Sequence, residues 1–203
     1  MTVLPEILER GGPVVWPLLG LSVAALTVAV ERAIFFAGCG RRAWARNAAA
    51  AAQRLRAGDA AGARAAVEGD AGVLAPVVRA AAAAEPAARA AAAAAEARAQ
   101  AQRLERFLPW LGFVVTAAPM LGILGTVLGI IASFDALATT AGPAADPRAV
   151  GGGIGQALLS TAIGLVVTLA TLPAWIWLRG RADRLLDRLE DVLAAAGGTP
   201  PAA

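Results

Sequence analysis

The chain of 203 residues has no histidine and a single cysteine, Cys39. Those absences exclude a disulfide framework, a zinc site and a cysteine–histidine nucleophile pair within one chain. No nucleophile–base pair, metal cluster or phosphate loop stands among the other residues, so no catalysis, metal or cofactor is expected. The run GGGIG at 151–155 is glycine-rich. It opens a long apolar segment, however, where a dinucleotide fingerprint would follow a strand. The basic residues are all arginine. They fall mostly between apolar segments, which suits membrane topology better than nucleic-acid binding.

Charge is missing from three long stretches. Residues 12–37 carry none until Glu31 and Arg32, and residues 107–134 and 150–178 carry none at all. Each reaches the roughly 20 residues that cross a hydrocarbon core of about 30 Å. The expected fold is therefore an all-α integral membrane protein, with transmembrane helices at 13–37, 107–137 and 151–178. The residues before the first helix, MTVLPEILERGG, hold two acids and one base. That charge balance and the length of the apolar run do not match a cleaved signal peptide. Pro13 and Pro17 fall in the first turns, where proline is tolerated.

Residues 38–106 hold eleven arginines against six acids, and Arg179, Arg181, Arg184 and Arg188 follow the third span. The positive-inside rule places 38–106 and the tail at 179–203 in the cytoplasm. It places the N-terminus at 1–12 and the loop at 138–150 in the periplasm. The 38–106 region is rich in alanine, which favours helix. Gly58, Gly62, Gly69, Gly72 and Pro76 divide its first half into short helices near 41–57, 59–68 and 71–84. The stretch after Pro86 is expected to run unbroken into the second span, kinked at Pro109 and Pro119. The final GGTPPAA is expected to fray. Glu31 and Arg32 are expected to pair or snorkel at the inner end of span one. Cys39 reads as an ordinary thiol, and Asp135 as an interfacial residue ending span two.

The second span contains APMLGILGTVLGIIASF. Gly112, Pro119, Thr126, Ser133 and Thr140 recur seven apart, and Gly122, Gly129 and Ala136 form a second series offset by three. Alternating steps of three and four keep such a seam on one helix face. Within a membrane, small residues mark contact faces, because close backbone approach drives association there. Gly125 and Gly129 add a small-xxx-small pair beside the seam. In the third span, Gln156, Ser160, Thr161, Gly164, Thr168 and Thr171 fall within about 140° on a helical wheel. Leu158, Leu165, Leu169, Leu172 and Ile176 occupy the other side. Two readings fit these faces: packing of a three-helix bundle, and a polar lining for an ion path.

The segments GGPVVWPLLGLSVAALTVAVER, APMLGILGTVLGIIASF and IGQALLSTAIGLVVTLATLPAW, taken in order, resemble the ExbB/TolQ branch of the MotA/TolQ/ExbB proton-channel family. The resemblance implies a multi-pass protein of the bacterial inner membrane that assembles as a pentameric ring. Its second and third spans would line a pore holding the single-span helices of an ExbD/TolR-like partner dimer. A periplasm-spanning protein of the TonB/TolA type and membrane lipids would be further partners, and nucleic acid would not. The unit would use the proton-motive force as a motor for outer-membrane transport or envelope processes. Thr126 and Thr161 match the family's pore-lining threonines, with Gln156, Ser160, Thr168 and Ser133 along the same path. Gly122, Gly125, Gly129, Gly164 and Pro119 would serve helix packing. Gln156 stands where the family often has glutamate, so this chain has no ionisable group at that place. Sodium coupling and a non-conducting scaffold of the same fold stay open on the residues alone.

Overall fold

The computed structural model describes residues 11–39, 42–139 and 147–197. The first ten residues, Thr140 with the rest of the 140–146 loop, and most of the GGTPPAA tail lie outside them. Among the described residues seven helices follow one another: α1 (Val15–Cys39), α2 (Arg42–Arg56), α3 (Ala60–Ala66), α4 (Ala75–Ala83), α5 (Arg89–Glu105), α6 (Leu108–Thr139) and α7 (Pro147–Ala195). No strand occurs among the described residues. The windows long and apolar enough to cross a membrane lie within α1, α6 and α7. The chain divides into two compact units, Met1–Val30 with Pro109–Ile176, and Glu31–Leu108 with Trp177–Ala203.

The first unit holds the apolar part of α1, nearly all of α6 and the first half of α7. Its outward side chains are those lipid tails solvate well. Leu26, Met120 and Leu169 are each about two-thirds exposed, at 67%, 69% and 68%. The inward residues are mostly small. Along α6 they are Leu111, Val114, Ala118, Gly122, Gly125, Gly129 and Ser133. Along α7 they are Gly153, Ala157, Ser160, Gly164, Val167 and Thr171. Both helices continue through an internal proline, Pro119 and Pro173. Each proline removes one N–H from the backbone ladder and frees a carbonyl one turn earlier.

The second unit is built from α2 to α5 and the adjoining ends of α1 and α7. Its interior is unusually rich in alanine: Ala51, Ala63, Ala81 and Ala93 are all fully buried. Such small side chains let helix axes approach closely. Val67, Val77, Val78 and Leu104 supply the bulk. Asp59 starts α3 by accepting a hydrogen bond from the Gly62 amide at 2.8 Å, a typical N-cap. Gly58 and Gly69 take positive φ, +79° and +72°, at the breaks on either side of α3. Pro76 sits in the first turn of α4, which begins at Ala75 and not near residue 71.

One expectation needs correction. The helix after Pro86 does not run unbroken into span two. It ends at Glu105, and α6 starts at Leu108. Arg106 leaves the helical region (φ −50°, ψ 128°), and Phe107 takes a left-handed φ of +66°. Pro109 is the reason. An unbroken helix would set its ring against the Glu105 carbonyl and leave that carbonyl without a donor. With the helix restarted at Leu108, the same proline lies in the first turn of α6, where no donor is needed. Arg32 closes the break on one side. It is 4% exposed and donates to the Arg103 carbonyl at 3.0 Å and to both carboxylate oxygens of Glu31 at 2.6 and 2.7 Å. Its guanidinium lies 4.7 Å from the Phe35 ring centre and 5.6 Å from that of Phe107.

Most of the C-terminal tail at 179–203 is helical. Helix α7 continues to Ala195, and Leu178, Ala182, Leu185, Leu189, Val192 and Ala196 are buried. Their successive spacings from Leu178 to Ala196, four, three, four, three and four, are the seam pattern of a packed helix.

Candidate functional site

The α6–α7 contact in the first unit is formed by backbone. An added Cβ at Gly122 would lie 3.0 Å from the Thr161 Cα, and one at Gly129 would lie 2.7 Å from the Gly153 carbonyl oxygen. One at Gly164 would lie 2.6 Å from the Ala118 carbonyl oxygen. At Gly125 it would run into the Ser160 side chain, and at Gly153 into Ser133. At Gly129, Gly153 and Gly164 the close atoms include backbone, which cannot swing aside as a flexible side chain can, so these three positions admit hydrogen alone. This closeness accounts for three glycines, Gly122, Gly125 and Gly129, in one span: each costs about 1 kcal/mol of propensity and permits a close contact with α7.

The buried line on α6 is rotated from the one read in the sequence. Gly125, read as lying beside the seam, is within it. Gly112, Pro119, Thr126 and Ala136 are half-buried at its edge, with Gly112 against the Trp175 indole. The series seven residues apart was a true periodicity, but its centre lies one position away. Gly153 and Ala157, the α7 partners of Gly129, were missed; their smallness beside the glycines of α6 was the available signal.

Close approach brings hydroxyls onto carbonyls. Thr161 donates to the Gly122 carbonyl at 3.0 Å, across the two helices. Ser160 is fully buried and lies 2.8 Å from the Ala157 carbonyl and 3.3 Å from that of Gly122. Thr126 donates to the Ile123 carbonyl of its own helix at 2.6 Å. The two threonines are thus bonded to consecutive carbonyls of α6. Ser133 bridges the Gly129 and Val150 carbonyls at 3.0 and 3.2 Å. Thr168 and Thr171 bond back to Gly164 and Val167 at 2.9 and 2.8 Å, the usual resort of a helical threonine in an apolar setting. Gln156 is half-buried, and its amide packs against the backbone of Gly12, just before α1.

The chemistry of this face follows from where the protons point. A hydroxyl that gives its only proton to a carbonyl keeps its lone pairs for an outside donor. Thr126 and Thr161 can therefore accept a hydrogen bond from water or an acid, or contribute an oxygen to a cation. Neither can ionise. The nearest carboxylate in these spans is Asp135, exposed near the end of α6. Among the described residues no cluster of histidine, cysteine and carboxylates is arranged to hold a metal.

Three apolar helices, packed through glycine and wrapped in exposed leucine, isoleucine and methionine, define a multi-pass membrane protein. Residues 64–191 match the MotA/TolQ/ExbB proton channel family, and the chain belongs to that family. An ExbB-like biopolymer transport protein of Synechocystis sp. is 34% identical over 168 residues, covering 80% of this chain and 78% of the relative. The TolQ protein of the Tol-Pal system of Pseudomonas aeruginosa is 37% identical over 89 residues, covering 44% of this chain and 38% of the relative. An ExbB homolog of Methanothermobacter thermautotrophicus is 38% identical over 91 residues, 45% of this chain and 31% of the relative. These similarities place the chain in the ExbB/TolQ branch.

Proposed function

We propose that the chain is a subunit of a pentameric, ion-conducting ring that couples the proton-motive force to work on the cell envelope. The observation that carries this reading is the pair Thr126 and Thr161. Their hydroxyls are fixed on adjacent carbonyls within segments that hold no charged residue from 107 to 134 or from 150 to 178. Ionisable groups are expensive within a bilayer and mark proton relays where they occur. This chain supplies none there, so a proton acceptor comes from another chain. A carboxylate on a single-span ExbD/TolR-like partner fits that need, with the threonine oxygens receiving its protonated form. Each charge crossing 100 mV releases about 2.3 kcal/mol, enough to bias motion of the partner within the ring. The arginine excess in 38–106 and after 178 supports a cytoplasmic C-terminus and a periplasmic N-terminus.

The test is proton flux into liposomes carrying the chain and its partner, followed with a pH-sensitive dye. Thr161→Ala and Thr126→Ala are each expected to lower flux about tenfold, the effect of losing one hydrogen bond of about 1.4 kcal/mol. Flux at the wild-type level in both variants defeats the reading. A second reading, a non-conducting scaffold of the same fold, draws on Gln156, whose neutral amide packs on Gly12. It predicts no flux in wild type and partner binding that survives both threonine variants. A sodium gradient that drives flux at constant pH would assign the ion differently, since hydroxyl and carbonyl oxygens also suit Na⁺.

A further inference from the structure

The second unit contains a cleft of about 460 Å³ between α2, the residue that precedes α4, and the end of α7. Its volume lies within the range of small-molecule sites. The floor is apolar: Ala48, Ala52, Leu74 and Val192 are all buried. Arg46 and Arg56 from α2 and Arg188 from α7 line the rim, with Asp191 beside them. Among the described residues none of these three arginines forms an ion pair. Arg54, on the same helix as Arg46 and Arg56, does so with Asp59 at 3.8 Å. The cleft thus gathers three guanidiniums from two elements against one carboxylate.

We propose that this cleft binds a glycerophosphate-type group, a phosphate carrying free hydroxyls. Guanidinium groups present forked donors that match phosphate oxygens bidentately. Three of them with one carboxylate give the cleft an excess of positive charge that an anion would balance. Asp191 would repel a bare anion, but it offers an acceptor for a hydroxyl next to the phosphate. The apolar floor takes the carbon skeleton. Two sources carry this chemistry: the headgroup of phosphatidylglycerol, and a soluble glycerol phosphate. Membrane leaflets rich in anionic lipid attract basic segments that follow a span.

Two assays on the full chain separate them. In detergent, glycerol 3-phosphate is titrated by calorimetry. In nanodiscs of phosphatidylcholine with phosphatidylglycerol, native mass spectrometry counts retained lipid. Saturable binding in the first assay supports the site with a soluble ligand; selective retention of phosphatidylglycerol in the second supports it with a lipid headgroup. In either case Arg56→Gln and Arg188→Gln weaken binding about tenfold, the loss expected for one charge-assisted hydrogen bond. Arg54→Gln, whose parent side chain is engaged by Asp59, leaves binding unchanged. Absence of binding in both assays overturns the proposal. So does binding that survives Arg188→Gln, or that falls equally with Arg54→Gln.

Discussion

Replacing Gly164 by alanine tests the physical basis of the α6–α7 seam. The new Cβ would stand 2.6 Å from the Ala118 carbonyl oxygen and 3.2 Å from the Gly122 Cα, where ordinary contact begins at 3.4 Å. Both neighbours are backbone, so relief requires the helices to part by most of an ångström. Parting stretches the Thr161–Gly122 bond from 3.0 Å and the Ser160–Gly122 contact from 3.3 Å. Overpacking of this kind costs about 1–3 kcal/mol, and each interhelical hydrogen bond in a membrane contributes about 0.6 kcal/mol. Alanine returns about 1 kcal/mol of helix propensity. The expected net loss is about 1–3 kcal/mol. Gly155 lies on the same helix with nothing within 4 Å of an added Cβ, so Gly155→Ala keeps the propensity gain alone. Unfolding titrations in mixed detergent, followed by circular dichroism, compare the two. If Gly164→Ala proves as stable as Gly155→Ala, the close-approach argument is wrong.

Other residues give independent checks. Gly58→Ala is expected to cost about 1 kcal/mol, because φ is +79° there and a side chain resists that region. Gly20→Ala, in open space on α1, is expected to cost nothing in the same unfolding titration. Arg32→Ala removes the donor to the Arg103 carbonyl. Since Glu31 is half exposed, at 50%, and regains water, the loss should be about 1–2 kcal/mol, near that of a single charge-assisted hydrogen bond. Hydrogen exchange should show it as faster exchange near residues 103–107, and Arg32→Lys should recover part of it. Thr161→Ser keeps the hydroxyl and should retain flux, whereas Thr161→Val keeps the shape and should lose it.

The three membrane helices were legible in the sequence because absence of charge over 20 or more residues is a strong signal. The glycines of α6 and the polar side of α7 were legible as faces. Which residue stood at the centre of a face was not, since a shift of one position changes the wheel by about 100° and only the partner helix decides it. Gly153 and Ala157 went unread for that reason: smallness has meaning only opposite another small residue. The break at Phe107 was hidden because the sequence holds no glycine there, and phenylalanine seldom takes a positive φ. Pro109 carried the signal, but a proline predicts a kink and a break equally well. The helix beyond residue 178 was obscured by its arginines and acids, although Leu185, Leu189 and Val192 kept the period of a buried face.

The proposed ring encloses a partner that supplies the carboxylate absent from residues 107–134 and 150–178. Native mass spectrometry of the full chain, coexpressed with a single-span ExbD/TolR-like protein and extracted in mild detergent, tests it most directly. The account predicts a pentamer that retains two copies of the partner. A monomer or dimer that retains none would contradict it.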